Sequence, residues 1–136
     1  MKQIQILNEE NAVRIVLKTL KNNINYKWDH INYINRNRYA IVKGSPNIAI
    51  LLKRNTFMNF GAKFREFGES GVGDTINSEY LKEFIRKEVD MIYTIFPDGK
   101  IYMIKLNDFL VKSYQWIQKE GTEVRSTSIH NFKRVN

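Results

Sequence analysis

A chain of 136 residues with 43% apolar content is long enough to bury the core of one domain, and too hydrophobic to belong to the disordered class. It has no cysteine, which excludes disulfide frameworks and thiolate metal sites. Its net charge of +8 favours acidic partners, with nucleic acid first, anionic membrane surface second and acidic protein third.

The charge is segregated. Residues 1–65 carry seven Lys and five Arg against three acids, +9, whereas residues 66–136 carry seven Lys and three Arg against eleven acids, −1. The N-terminal MKQIQILNEENAV lacks the basic start and apolar run of a signal peptide. No apolar run approaches the roughly 20 residues that span a bilayer. The expectation is a cytoplasmic, membrane-independent domain.

In chain order, Asn8–Asn22 places Ala12, Val13, Val16, Leu17 and Leu20 at the spacing of an amphipathic helix, with Glu9 and Glu10 at its positive end. Tyr26–Tyr33 mixes aromatic and β-branched residues as a strand would. Tyr39–Val42, the turn Lys43–Asn47 and Ile48–Leu52 form a hairpin. The second arm is apolar at every position, which marks a strand covered on both faces.

Asn55–Asn77 then reads as one long connection, rich in Phe, basic residues and Gly. Asn77 or Ser78 caps a helix through about Lys87 with Leu81, Phe84 and Ile85 on one face. Val89–Phe96 is a buried strand, Pro97–Lys100 a tight turn and Ile101–Ile104 the returning strand. A last helix is expected from Asn107, with Phe109, Leu110, Ser113, Trp116 and Ile117 inward and Gly121 ending it; Glu123–Val135 adds an edge strand. The fold class is α/β: a mixed central sheet flanked by helices, order α-β-β-β-α-β-β-α-β, in a single domain covering 1–136.

A helix, a three-stranded meander, then a helix and a strand is the order of the restriction-endonuclease-like core. Over about residues 8–96 the chain resembles that PD-(D/E)XK nuclease family, which includes archaeal Holliday junction resolvases. The resemblance implies a divalent-metal-dependent phosphodiesterase that uses Mg²⁺, with Glu10 on the first helix, Asp29 and Lys53 as catalytic candidates. The sequence departs from the family's pattern at two points. Leu51 stands two positions before Lys53 where the family has Glu or Gln, and Asp29 precedes the hairpin instead of lying within it.

The residues themselves suggest a polyanion groove. Lys53, Arg54, Lys63 and Arg65 supply cations, Arg36, Arg38 and Lys43 extend the surface, and Phe57, Phe60, Phe64 and Phe67 serve as stacking residues or as anchors that pack the connection onto the sheet. Gly68–Asp74 matches neither a Walker nor a dinucleotide pattern and reads as a lid or turn. Glu66, Glu69 and Asp74 form a looser alternative metal set. His30 and His130 are unconnected, and Ser45, Ser70 and Ser78 sit in turns or caps without a nucleophile elbow. Tyr114 and Trp116 read as core or as a dimer face. The function expected is nucleic-acid binding, DNA ahead of RNA, with metal-dependent cleavage as an extension. The alternative is a non-enzymatic accessory module of viral or plasmid type, homodimeric or docking on protein through its aromatic loop.

Overall fold

The computed structural model describes residues 9–21, 39–53, 57–60, 63–66, 74–96 and 99–136. At 9–10, 57–60, 63–66, 74 and 129 it describes the backbone path alone. The expected strand at 26–33, together with Asp29, His30, Arg36, Arg38, Arg54, Phe67, Glu69 and Ser70, lies outside the described residues.

Helix α1 (Glu9–Leu20) is followed by the hairpin β1 (Tyr39–Val42) and β2 (Ile48–Leu52). Next come β3 (Phe57–Phe60), β4 (Lys63–Glu66), β5 (Asp74–Asn77), α2 (Ser78–Arg86), β6 (Met91–Ile95), β7 (Ile101–Lys105), α3 (Leu106–Lys112), β8 (Tyr114–Ile117), β9 (Glu123–Thr127) and β10 (Lys133–Arg134). The principal sheet has the order β1-β2-β6-β7-β10. Strand β2 runs parallel to β6, while β1–β2, β6–β7 and β7–β10 are antiparallel. The sheet is therefore mixed, and the all-apolar IAILL segment occupies an interior position in it.

Alternation along the strands divides the core in two. Ala40, Val42, Ile48, Ile50, Tyr93, Ile95 and Ile101 face α1, whose Ala12, Val13, Val16 and Leu20 are buried against them. Tyr39, Ile41, Ala49, Leu51, Ile92 and Ile104 face the other way, onto Leu81 and Phe84 of α2 and Leu106 and Phe109 of α3. Each of the Val, Ile, Leu and Phe side chains contributes about 1.5–3 kcal/mol by leaving water. On this second face the Tyr39 ring meets Phe84 edge-on with centroids 5.1 Å apart.

Asn77 caps α2 as expected, its Oδ1 accepting from the Glu79 amide at 2.7 Å. Of the three apolar residues expected on the inner face of α2, Leu81 and Phe84 are buried and Ile85 is exposed. The helix ends at Lys87, followed by Glu88 with φ +58°, a left-handed conformation that releases the chain toward β6.

Three expectations fail. The segment Glu123–Val135 is not one edge strand: β9 is the middle strand of a second sheet, and a 3-10 turn separates it from β10 at the edge of the principal one. The connection from Asn55 to Asn77 is not one long loop, because FMNF and KFRE pair as antiparallel strands, and Asp74–Asn77 forms a strand of the second sheet. The last helix stops at Lys112, where Ser113 takes extended φ/ψ (−86°, 160°). Tyr114–Ile117 is strand β8, paired with β9, in a three-stranded sheet of order β5-β9-β8. Aromatic and β-branched residues at alternating positions favour an extended chain. A helix would have required Trp116 and Ile117 to be buried, yet both are exposed.

Candidate functional site

Lys53 is the first residue after β2, and its backbone N–H donates to the Ile95 carbonyl at 3.0 Å, so it extends the pairing of β2 with parallel β6. It therefore stands at the carboxyl ends of two adjacent parallel strands. Its half-buried ammonium donates to the Thr75 carbonyl at 3.2 Å, which carries the contact from the principal sheet to the small one.

From Thr75 a chain of hydroxyls crosses the small sheet. Thr75 Oγ1 and Ser126 Oγ lie 2.7 Å apart, and the Trp116 indole Nε1–H donates to Ser126 Oγ at 2.8 Å. Register explains the alignment: Ser126 is opposite both Thr75 and Tyr114, and Val124 is opposite both Asn77 and Trp116. All six residues share one face. The other face carries Ile76, which enters the core, and Arg125, whose Nε donates to Ser113 Oγ and whose Nη2 donates to the Ser113 carbonyl, both at 2.8 Å. Arg125 thus closes the carboxyl end of α3 with a cation.

Lys43 has a different setting. It lies in the β1–β2 turn, at the end of β2 opposite Lys53, and its Nζ donates to the Lys87 carbonyl at 2.6 Å, at the end of α2. Around it Asn47 Oδ1 accepts from the Gly44 amide at 2.9 Å, Asn47 Nδ2 donates to the Glu88 carbonyl at 3.0 Å, and Asp90 Oδ2 accepts from the Asn47 amide at 2.9 Å. These contacts lock the turn onto the α2–β6 connection. Lys43 therefore does not share a surface with Lys53, as the sequence had suggested.

For the remaining candidates the backbone gives placement only. Glu10 lies in the first turn of α1. Lys63 pairs in register with Phe60 and Arg65 with Met58 in the β3–β4 pair, and Phe57 pairs with Glu66. Asp74 immediately precedes Thr75 in β5. The structure thus brings Asp74 and Lys53 to the same sheet junction by way of Thr75. Strand β5 (Asp74–Asn77) leads directly into α2, and Gly68, Gly71 and Gly73 lie outside the described residues. His130 is exposed in a short 3-10 turn.

The Mg²⁺ that a restriction-endonuclease-like core implies does not fit β2. The position two before Lys53 is Leu51, 5% exposed within the hydrophobic core, and β2 offers no oxygen side chain to a hard cation. Among the described residues no three His, Asp or Glu side chains gather in a metal-binding group. What this junction presents is a cation, two linked hydroxyls and an ordered aromatic ring. No helix among the described residues is long and apolar enough to cross a membrane.

Sequence reasoning missed Tyr114, Trp116, Thr75 and Ser126. The signal was available in Tyr114-Gln-Trp116-Ile, a four-residue alternation directly after a serine, and in Thr75 and Ser126 within short polar–apolar alternations. Comparison with protein-family models, curated proteins and solved structures finds no match to this chain.

Proposed function

We propose that this chain is a small basic nucleic-acid-binding protein, with DNA preferred to RNA, built on a restriction-endonuclease-like core. It binds at the end of the principal sheet marked by Lys53. The observation that carries this reading is the position of Lys53 at the carboxyl ends of the parallel pair β2 and β6, in the half of the sequence with a +9 charge. In open α/β sheets ligands bind outside the carboxyl ends of parallel strands, and clustered cations bind phosphates by releasing counterions.

Lys53, Arg54, Lys63 and Arg65 supply the phosphate contacts, with Arg36 and Arg38 in support and Phe57 and Phe60 beside them. Lys43 serves the β1–β2 turn instead. The likeness in core is supported by the parallel pair β2 and β6, by the crossover between them that contains α2, with β3, β4 and β5 inserted before that helix, and by helices on both faces of the sheet. The reading is of binding. Cleavage would need metal ligands from outside β2, Glu10 and Asp29 first among them, and no hydrolytic step is assigned.

The test is an anisotropy titration of a labelled duplex at several salt concentrations. Binding whose logarithm falls linearly with the logarithm of salt is expected. No binding even at low salt would overturn the proposal.

A further inference from the structure

Resting on the reading that this protein binds nucleic acid, we propose that the face of the small sheet bearing Tyr114 and Trp116 is a stacking platform for unpaired bases, so that the preferred ligand is single-stranded. Strand β8 is the outer strand of its sheet and is exposed along its whole length. Tyr114 is 61% and Trp116 38% exposed. Two residues apart on a strand, their side chains leave the same face about 7 Å from each other. That spacing is roughly twice the 3.4 Å step of stacked bases in a duplex, and it suits bases splayed from an extended strand. Bases inside a duplex hide their faces from side chains, whereas unpaired bases offer them to aromatic rings.

The indole is also fixed in advance. Its Nε1–H is held by Ser126 Oγ, which contacts Thr75 Oγ1, so the ring leans across β9 and does not swing freely from the edge. An exposed ring held by buried or half-buried hydroxyls loses less freedom on binding than a mobile one. The same Thr75 accepts from Lys53 through its carbonyl. Cation and ring are thereby mounted on one continuous assembly, as a phosphate-and-base ligand requires. The charge of the chain favours the same partner. The platform itself is uncharged, and the cations of a +8 molecule draw a polyanion to it while repelling a second copy. The neighbours on this face are Thr75, Asn77, Ser126 and the buried Val124, and the aliphatic Ile117 points to the opposite side, so the exposed part of the surface is polar and aromatic, unlike an aliphatic subunit contact.

The experiment compares the whole chain with Trp116→Ala and Trp116→Phe for binding a thymidine oligonucleotide of about 16 nucleotides and a duplex of equal length. Circular dichroism checks the fold, and analytical ultracentrifugation gives the mass. The single strand is expected to bind more tightly than the duplex. Trp116→Ala should weaken single-strand binding roughly tenfold, with the duplex unaffected, and Trp116→Phe should retain most of it. Salt-dependent duplex binding with no single-strand preference, or equal weakening of both ligands by Trp116→Ala, would overturn the platform while leaving nucleic-acid binding intact. A dimer that Trp116→Ala dissociates without changing affinity would assign β8 to a subunit interface. Absence of binding to either probe would remove both readings. If Trp116→Ala fails to fold, a folded Trp116→Phe that loses the single-strand preference also counts against the platform, because a phenyl ring still stacks.

Discussion

The ammonium of Lys53 donates to the carbonyl of Thr75 across 22 positions of sequence, at 3.2 Å, tying the end of the central strand to the first strand of the small sheet. Because this is a charged donor in a half-buried setting, Lys53→Met should destabilise the fold by about 1 kcal/mol. Urea denaturation followed by circular dichroism measures this. The loss is expected to be small enough that the variant remains folded for binding studies.

Lys43 provides the contrast. Its bond to the Lys87 carbonyl places a cation at the carboxyl end of α2, where helix dipole and orphan carbonyl both favour it. Lys43→Met should therefore cost about 1 kcal/mol of stability. Because the residue lies at the far end of β2 from Lys53, the salt dependence of DNA binding should be unchanged. Denaturation midpoints paired with anisotropy titrations check both halves of this expectation.

Ser78, at the first position of α2, is 7% exposed, and its Oγ is a buried side-chain polar atom without a hydrogen-bond partner among the described residues. An unsatisfied buried hydroxyl costs about 1–3 kcal/mol, and alanine is well tolerated in a helix. Ser78→Ala should leave stability unchanged or raise it by about 1 kcal/mol. A calorimetric melting temperature equal to or above that of the parent is the expected result.

Arg125 holds the end of α3 through Ser113 Oγ, the Ser113 carbonyl and, at 3.4 Å, the Leu110 carbonyl. Arg125→Met should destabilise the protein by about 2 kcal/mol, since it strands carbonyls that the guanidinium serves. Arg125→Lys should restore only part of this, because an ammonium cannot reproduce the planar fork. Chemical denaturation of the two variants side by side decides it.

The parts of the fold legible in the sequence are those where one local pattern dominates. IAILL reads as an interior strand because it is apolar without alternation, and α2 reads from its Asn77 cap and its Leu81 and Phe84. The segment after Phe109 misled because Ser113, Trp116 and Ile117 also fit a helical spacing; pairing with β9 decided against the helix. The pairing of Phe57–Phe60 with Lys63–Glu66 is not legible in the sequence, because phenylalanines interleaved with cations fit a ligand surface as well as paired strands. Of the site, Lys53 was legible as the polar end of a buried strand. Its partners Thr75, Ser126 and Trp116 were not, because they meet through register between distant strands. Lys43 could not be told from Lys53 by sequence, since only the fold sets them at opposite ends of β2.

The measurement that bears most directly on the central claim is the salt slope of DNA binding for the parent chain and for Lys53→Met, with Lys43→Met as control. If Lys53 contacts phosphate, its loss should weaken binding and lower the slope by roughly one, while the control keeps the parent slope. A Lys53→Met protein that stays folded and keeps the parent's affinity and slope would contradict the account.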